Sequence, residues 1–344
     1  MGQQIIAFYH EDMKKHYMGK SHLETPVRLD ILINSLKQSE FDVKWIKAKQ
    51  GLEEDVFSVH SKELLKYIKL ATEKAPTWIT ADTRTNKYTY YSAMLAVGAS
   101  KHAALASFNE KKIAVALTRP PGHHATENAA MGFCFFNNAA VAAKTLLKEK
   151  GLNKVLIYDI DNHYGNGTAS IFFKTDKVLT TSIHCDPYEC YPGVGFPNEI
   201  GSGDGIGHNI NVPTPVYSNN NDWLYALKST IIPVIQEYEP EAVIVSAGFD
   251  ALKGDPYGKL SLNYDAFEYA GKLLVDSLPK KVRKKIVLVI EGGYKLPDLG
   301  EAFIYFLRGL TGKGMSLPKQ MPVSRIAKKY TSHAQGYIRK YWRI

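Results

Sequence analysis

Residues 155–167, which read VLIYDIDNHYGNG, join an apolar, β-branched run to a cluster of ionisable side chains. The run VLIYD is typical of a strand that is buried on both faces of a sheet. Because side chains alternate across a strand, Asp159, Asp161 and His163 are predicted to project toward the same side. The segment therefore predicts a buried strand of a parallel sheet that ends in a polar site.

Similar apolar runs recur along the chain and alternate with helical patterns. Further strands are predicted from the runs that begin at Ile5, Lys112, Val178, Ala242 and Ile286. Helices are predicted from Tyr90, Asn137 and Asn263. The alternation predicts an α/β fold, in a single domain over residues 1–344, with a mostly parallel central sheet and helices on both faces. Residues 185–216 are rich in Gly and Pro without periodicity, and we expect a loop that walls a pocket.

The composition is that of a folded globular protein. Of 344 residues, 45% are hydrophobic, and the formal net charge is +9. These values exclude a disordered chain. No apolar stretch approaches the roughly 20 residues that cross a bilayer, and the amino terminus lacks a secretory pattern. We therefore expect a cytoplasmic protein without a membrane partner.

Most of the positive charge lies in a basic C-terminal segment, about residues 311–344. This segment contains eight Lys or Arg and no Asp or Glu, whereas the rest of the chain is nearly neutral. A basic tail with aromatic side chains can bind phosphates, but a solvated terminus or a contact within a homo-oligomer is the more frequent role of such a segment. We therefore do not expect nucleic acid as a partner.

The three cysteines, Cys134, Cys185 and Cys190, show no CxxC spacing and cannot all pair. This usage suits a reducing compartment, where thiols stay reduced. It agrees with the cytoplasmic localisation expected from the amino terminus.

Polar side chains follow the predicted strands, and the carboxyl ends of parallel strands meet at the edge where ligands bind. Two carboxylates and an imidazole in DxDxH suit a divalent metal such as zinc, although an isolated DxDxH also occurs in solvated turns and magnesium sites. Asp250 ends another strand in an apolar setting, where an unpaired carboxylate is costly. Asp250 is therefore the best candidate for a metal ligand that comes from outside the DxDxH segment.

A histidine pair and a tyrosine follow two further strands. His123 and His124 come directly after the stiff turn RPPG. Adjacent imidazoles near a metal suit general acid–base catalysis, although two histidines of a surface loop are an equal alternative. Tyr294 follows two glycines in EGGY, and its phenol is placed to donate a hydrogen bond to a developing oxyanion.

Seven motifs together resemble one family. In order they are RPPGHHA, GFCFFNNAAVAA, DIDNHYGNGT, SIHCDPYECYP, NINVP, SAGFDALKGDP and EGGY. This series is similar to that of the zinc-dependent histone deacetylases and acetylpolyamine amidohydrolases, which share the arginase/deacetylase fold. The resemblance covers nearly the whole chain, and Asn166 in GNGT is similar to the class II and bacterial branch.

The resemblance implies roles for the residues of the site. Asp161, His163 and Asp250 would hold one catalytic zinc. His124 would act as general base and then general acid, with Asn166 as its hydrogen-bond partner. His123, oriented by Asp159, would add electrostatic stabilisation, and Tyr294 would stabilise the oxyanion. The catalytic set implied by the family is His124, His123, Tyr294, Asp159 and Asn166.

The resemblance also implies a substrate tunnel and a second ion. Phe133 and Tyr191 match the aromatic positions that line the tunnel, Gly132 precedes the first of them, and Tyr257 occupies a gatekeeper position. A structural potassium ion is implied at the backbone of five residues: Asp159, Asp161, His163, Ser182 and Ile183.

The substrate is the open question at this level. Polyamine-selective relatives commonly carry acidic groups near the tunnel mouth, whereas this chain has Tyr257 at the gatekeeper position and a short segment without excess acid at residues 77–91. The 185–216 loop contains Asp186, Glu189 and Glu199, and these acidic residues favour a polyamine substrate. We expect acetyl-lysine in proteins or peptides as substrate, with small acetylated polyamines as the alternative. A catalytically silent protein on this fold and a two-manganese ureohydrolase are less favoured.

Overall fold

The computed structural model describes residues 4–313 and 322–344. Eight parallel strands form one sheet in the order β2-β1-β3-β8-β7-β4-β5-β6. The strands are β1 (Gln4–Tyr9), β2 (Asp42–Lys47), β3 (Ala114–Ala116), β4 (Val155–Asp159), β5 (Val178–Cys185), β6 (Asn209–Thr214), β7 (Ala242–Ala247) and β8 (Ile286–Ile290). The α/β fold with a parallel sheet is confirmed.

Helices flank the sheet. They are α1 (Val27–Gln38), α2 (Glu53–Phe57), α3 (Lys62–Glu73), α4 (Thr89–Glu110), α5 (Asn138–Lys150), α6 (Asn166–Phe172), α7 (Asn220–Ala226), α8 (Ile232–Tyr238), α9 (Tyr264–Ser277), α10 (Leu296–Thr311) and α11 (Arg325–Ile338). A π-helical turn, Leu227–Ile231, joins α7 to α8, and short 3-10 turns occur at Glu11–Lys15 and Gly203–Gly205. Within the described ranges, none of these helices is both long and apolar enough to span a membrane.

The strand order places the functional loops next to one another. Strands β3 and β4 are separated along the chain by α5 and lie in the sheet on either side of β8 and β7. All residues of these four strands are buried, as their continuous apolar runs predict. Because the strands are parallel, the loops that follow them leave the same edge of the sheet and converge there.

Strand β6 corrects the prediction that residues 185–216 have no regular structure. The polar residues Asn209 and Asn211 hide its apolar pattern, yet both are buried. The side-chain amide of Asn209 donates to the Tyr164 hydroxyl at 3.0 Å, and that of Asn211 donates to the backbone oxygen of Glu199 at 3.1 Å. These hydrogen bonds give the buried amide N–H groups acceptors within the fold, so the segment can pair with β5.

The structure also corrects the prediction for the basic C-terminal segment. Helix α11 packs against β6 and α7, with Ala334, Ile338 and Trp342 buried. The Trp342 indole donates a hydrogen bond to the backbone oxygen of Gly207 at 2.6 Å. The prediction of a solvated terminus is therefore wrong for residues 325–344, and residues 314–321 of the segment lie outside the described residues.

Two of the three cysteines are paired. Cys185, at the end of β5, forms a disulfide with Cys190 in the following turn, and Cys134 is a buried free thiol. The expectation of three reduced cysteines is wrong for this pair, because the turn between them brings two residues five positions apart into contact. That contact does not follow from their spacing alone.

Candidate active site

A pocket of about 210 Å³ opens where the loops after β3, β4, β7 and β8 meet. Its lining includes every predicted metal ligand, both paired histidines and the four predicted tunnel positions. These residues are Asp161, His163, Asp250, His123, His124, Gly132, Phe133, Tyr191 and Tyr257, together with Tyr294 and Asp82. The pocket therefore collects residues that are up to 212 positions apart in the chain, from Asp82 to Tyr294.

The predicted metal ligands converge at the floor of this pocket. Ligand atoms of Asp161, His163 and Asp250 all lie within 4.8 Å of one another. The Nδ1 atom of His163 is 3.1 Å from Asp161 Oδ1 and 3.0 Å from Asp250 Oδ2. The other carboxylate oxygen of each aspartate accepts a backbone hydrogen bond. The Gly292 N–H donates to Asp161 Oδ2 at 2.9 Å, and the Asn162 N–H donates to Asp250 Oδ1 at 2.7 Å.

The electrostatics of this cluster fit a divalent cation. Asp161 and Asp250 are both 1% exposed, so their charges are poorly solvated. Burial and the nearby Asp161 carboxylate raise the pKa of Asp250 to about 7. Two buried carboxylates that destabilise one another are stabilised when a cation binds between them. One imidazole and two carboxylates form a donor set that zinc accepts, with a position left open.

The paired histidines have different partners. His123 Nδ1 lies 3.0 Å from Asp159 Oδ2, whereas His124 Nδ1 lies 2.7 Å from the amide oxygen of Asn166. Burial alone would lower the pKa of His123, but the Asp161 and Asp159 carboxylates raise it to about 10. Burial lowers the pKa of His124 well below its ordinary value, and the charges of the neighbouring imidazoles lower it further. Adjacent residues therefore favour opposite charge states.

A buried glutamate that the sequence analysis did not assign positions this pair. Glu291 Oε2 accepts the backbone N–H groups of Gly122 at 2.6 Å and of His123 at 3.1 Å. Burial raises the pKa of Glu291 to about 7. Its place in EGGY, at the end of a buried strand, was the signal available in the sequence.

Asp255 is a second residue that the sequence analysis missed. Its Oδ2 accepts the backbone N–H groups of Tyr294 at 2.7 Å and Lys295 at 2.9 Å. Its Oδ1 accepts those of Tyr257 at 2.9 Å and Gly258 at 3.1 Å. One carboxylate thus holds the loop with the predicted oxyanion donor and the loop with the predicted gatekeeper.

The Tyr294 ring contacts a buried arginine, Arg28, which the sequence patterns do not assign to the site. The Arg28 guanidinium is 4.9 Å from the centre of the Tyr294 ring and donates to the backbone oxygen of Gly293 at 2.7 Å. Burial raises the pKa of Tyr294 well above its ordinary value, so the phenol stays protonated near neutral pH. The arginine comes from α1, far from EGGY in sequence, and no local pattern indicates this contact.

Aromatic rings form the walls of the pocket. Tyr191 meets the His124 ring edge-on at a centroid distance of 4.9 Å, and Phe133 meets the Tyr257 ring at 5.5 Å. Gly132 has a φ of +56°, and a Cβ there would lie 2.5 Å from His124 Cδ2. Only glycine therefore lets this wall approach the imidazole so closely.

The predicted potassium residues do not all share one space. Asp159 and Ser182 line a separate small cavity of about 10 Å³, whereas Asp161 and His163 line the main pocket. The backbone oxygen of Ile183 accepts the Trp223 indole N–H at 3.3 Å. Potassium binding at these five residues stays a prediction.

A buried Asp-His-Asp cluster, beside paired histidines at the carboxyl edge of a parallel sheet, is the architecture of a metal-dependent hydrolase. The family described as "Histone deacetylase domain" matches residues 22–310, so this chain belongs to the histone deacetylase family. It is a hydrolytic deacetylase, and zinc dependence is a property of that family.

Relatives and a solved structure agree with this assignment. The chain is 33% identical to a "Probable deacetylase" of Methanothermobacter thermautotrophicus over 95% of this chain and 97% of that protein. It is 34% identical to a "Probable deacetylase" of Archaeoglobus fulgidus, over 84% of this chain and 80% of the other. The HD domain of HDA15 superposes with a TM-score of 0.91 at 31% identity, covering 99% of this chain and 97% of that one.

Proposed function

We propose that this protein is a zinc-dependent amidohydrolase that removes acetyl groups from acetyl-lysine side chains of proteins or peptides and releases acetate. The observation that carries the proposal is a narrow pocket with aromatic walls at Phe133 and Tyr191 that ends on the Asp-His-Asp cluster. Such a pocket fits a slender aliphatic stem that bears a terminal amide.

Asp161, His163 and Asp250 would hold the zinc. A zinc ion held there would supply Lewis acidity toward the amide carbonyl and would lower the pKa of the attacking water. The protein contributes a preformed set of ligands, since both carboxylates are already fixed by backbone N–H groups. Little reorganisation is then needed when the metal enters.

His124 is the proposed general base and general acid. Its Nδ1–H donates to the Asn166 amide oxygen, which leaves Nε2 without a proton. The low pKa of His124 keeps the ring neutral and ready to accept a proton from water. The same nitrogen then delivers that proton to the departing amine, which is otherwise a poor leaving group.

His123 and Tyr294 are the proposed stabilisers of negative charge. The Asp159 and Asp161 carboxylates raise the pKa of His123, so its protonated ring would stabilise the negative charge that develops on the carbonyl oxygen. The protonated Tyr294 phenol would donate a hydrogen bond to the oxyanion, a contact worth about 3 kcal/mol in comparable sites. Both groups act most strongly on the transition state, which is what accelerates the reaction.

The acidic residues of the 185–216 stretch give little support to a polyamine substrate. The Asp186 carboxylate accepts the Tyr188 N–H and the Tyr330 hydroxyl, and the Glu199 carboxylate accepts the Gly195 N–H. Neither residue lines the pocket, and neither does Glu189. The carboxylates of Asp186 and Glu199 thus hold the loop itself and do not form an acidic mouth.

One observation keeps acetylated polyamines as the second candidate. Asp82 lines the pocket, and its carboxylate accepts hydrogen bonds from the hydroxyls of Thr80 and Thr83. A carboxylate at the mouth attracts the cationic end of a polyamine, but it also accepts backbone N–H groups of a peptide. The contact therefore fits both substrate classes.

The decisive experiment compares the two classes directly. Steady-state kcat/KM of zinc-loaded protein is measured on an acetyl-lysine peptide, on acetylputrescine and on acetylspermidine, with a chelator-treated control. We expect the peptide to be preferred and chelation to remove the activity. A preference for the polyamines would overturn the substrate assignment, and chelator-insensitive activity would overturn the metal mechanism. Bound metal of about one zinc per chain separates this proposal from a two-manganese ureohydrolase.

A further inference from the structure

The wall residue Tyr191 follows a tight turn, residues 186–190, which Asp186 organises. The Asp186 backbone oxygen accepts the N–H groups of Glu189 at 2.9 Å and Cys190 at 3.0 Å. Its Oδ1 accepts the Tyr188 N–H at 3.0 Å, and its own N–H donates to Thr214 at the end of β6 at 2.9 Å. The conformation of the turn thus depends on one nearly buried aspartate.

Tyr330 of the C-terminal helix contacts this turn through a hydrogen bond. The Tyr330 hydroxyl on α11 donates to Asp186 Oδ2 at 2.5 Å. Residues 330 and 186 are 144 positions apart, so the hydrogen bond joins the end of the chain to the loop after β5. This is the oxygen of Asp186 that the turn itself does not use.

Helix α11 is a firm support for that hydroxyl. The Ser324 N–H at its start donates to Asp222 Oδ1 at 2.7 Å, and the Gln335 amide donates to the backbone oxygen of Ser229 at 2.8 Å. Thr331, directly after Tyr330, is 1% exposed. The helix is fixed on both sides of Tyr330, so the position of the hydroxyl is defined before it meets the turn.

Tyr191 is a partly exposed residue that contacts the pocket with its ring. The residue is 39% exposed, and its ring meets the ring of His124 at 4.9 Å and that of His163 at 6.4 Å in edge contacts. The chain enters Tyr191 directly from Cys190, which is bonded to Cys185 at the end of β5. The orientation of this wall is therefore set mainly by the turn that precedes it.

We propose that Tyr330 and Asp186 are positioning residues for substrate binding: through their hydrogen bond, α11 holds the 186–190 turn and so places the Tyr191 wall against the substrate stem. The inference rests on the proposed function, because it takes a stem-bearing acyl amide as the substrate. The wall contacts the stem in the ground state and in the transition state alike. Its displacement should therefore raise KM and leave kcat nearly unchanged.

The test uses the full zinc-loaded chain and the variant Tyr330→Phe, which removes one hydroxyl. The matched control is Tyr337→Phe on the same helix, where the exposed ring contacts His333. We expect Tyr330→Phe to raise KM for an acetyl-lysine peptide about fivefold, as for one lost side-chain hydrogen bond, with kcat within about twofold. Tyr337→Phe should match the wild type.

A double-mutant cycle tests whether the two residues act through each other. Asp186→Ala removes the acceptor and also the contact with the Tyr188 N–H, so its KM should rise by about tenfold. Adding Tyr330→Phe to Asp186→Ala should change KM no further, because the hydrogen bond is already absent. Independent, multiplicative effects would contradict the proposal.

A binding measurement separates this inference from the proposed function. Acetohydroxamate and a six-carbon alkyl hydroxamate both chelate the metal, but only the longer one has a stem that reaches the wall. In Tyr330→Phe the ratio of their dissociation constants should shift about fivefold against the longer ligand. An unchanged ratio, or an equal shift in Tyr337→Phe, would overturn the inference even if the wild type were inactive on peptides. A lowered melting temperature with unchanged KM and ratio would show a merely structural contact and would also overturn it.

Discussion

The floor and the walls of the pocket are built in different ways. The floor, formed by Asp161, His163 and Asp250, lies at the ends of buried strands, and backbone N–H groups fix its carboxylates. The walls include Tyr191 and Tyr257, which are 39% and 38% exposed and are placed by turns. The proposed catalytic residues are therefore positioned by the sheet. The proposed substrate-binding residues are positioned by loops, which side-chain hydrogen bonds hold in place. The floor should tolerate no change, whereas the walls should tune substrate preference.

The largest effect is expected from a change in the floor. Asp250→Ala removes one proposed metal ligand and leaves the Asn162 N–H without its acceptor. We expect turnover to fall to the background rate and bound zinc to fall well below about one per chain, since three protein ligands are the usual catalytic set. Zinc content by mass spectrometry and kcat/KM on an acetyl-lysine peptide provide the measurement.

Tyr294→Phe is the matched control for that experiment, because it removes a hydroxyl of the pocket lining that is not one of the proposed metal ligands. It should lower kcat by about 100- to 1,000-fold, the range for one lost oxyanion donor, while zinc content stays unchanged. Loss of zinc from this variant would contradict the role assigned to the phenol, and so would retention of full activity.

A smaller effect is expected where floor and wall share a support. Asp255→Ala removes the acceptor for four backbone N–H groups, including those of Tyr294 and Tyr257. We expect kcat/KM to fall by about 10- to 100-fold, as for the loss of an outer-shell partner, with kcat and KM both affected. If KM changed alone, Asp255 would support the wall and not the oxyanion donor. Urea unfolding of the same variant controls for a general loss of stability.

A wall substitution should change preference more than rate. Tyr257→Glu places a carboxylate at the exposed position proposed as gatekeeper without altering the Asp-His-Asp cluster. The ratio of kcat/KM for acetylspermidine to that for the acetyl-lysine peptide should rise by about tenfold, because a new charge favours the cationic substrate. Tyr257→Gln controls for the lost ring. An equal ratio change in both variants would show that the effect comes from size and not from charge.

The smallest effect concerns a histidine behind the pocket. His60 accepts the Asn137 N–H at 2.8 Å, and burial lowers its pKa to about 4. An unfolded chain binds a proton on this residue below about pH 6.5, whereas the folded chain does not until much lower pH. The contribution of the neutral His60 to the free energy of unfolding is therefore fully present above about pH 6.5. It declines as the pH falls toward 4.

Between pH 7 and 5.5, His60 should account for about 1 kcal/mol of the decline in the free energy of unfolding. Urea unfolding of the wild type and of His60→Gln at the two pH values measures that difference. The variant should show a decline that is smaller by this amount. Equal pH dependence in the two proteins would refute the assignment of a neutral buried imidazole.

The floor could be predicted from the sequence because its determinants are local. The alternation of Asp159, Asp161 and His163 along one strand end is readable without a structure. Asp255 could not be found in this way, because it acts on a backbone N–H that lies 39 positions away. The same reason hides Arg28, whose contact with Tyr294 spans two distant elements.

Helix α11 has a helical pattern in the sequence, but the many basic residues around it obscure that pattern. Ala327, Thr331, Ala334 and Ile338 recur at helical spacing and are all buried in α11. Eight basic residues without an acidic one predict a solvated terminus instead. Strand β6 is hidden for a related reason, because Asn209 and Asn211 look polar in sequence although their side-chain N–H groups donate to acceptors within the fold.

The packing of α11 against β6 also bears on how the protein avoids aggregation. Strand β6 is an edge of the sheet, and such edges recruit strands from other molecules unless they are blocked. Here the helix lies against that strand, and Pro213 within it has no N–H to offer a neighbour. The opposite edge, β2, instead exposes lysines such as Lys44 and Lys47, and charge at an edge discourages strand addition. The last helix thus protects a sheet edge, and a chain lacking it should be prone to intermolecular β-pairing.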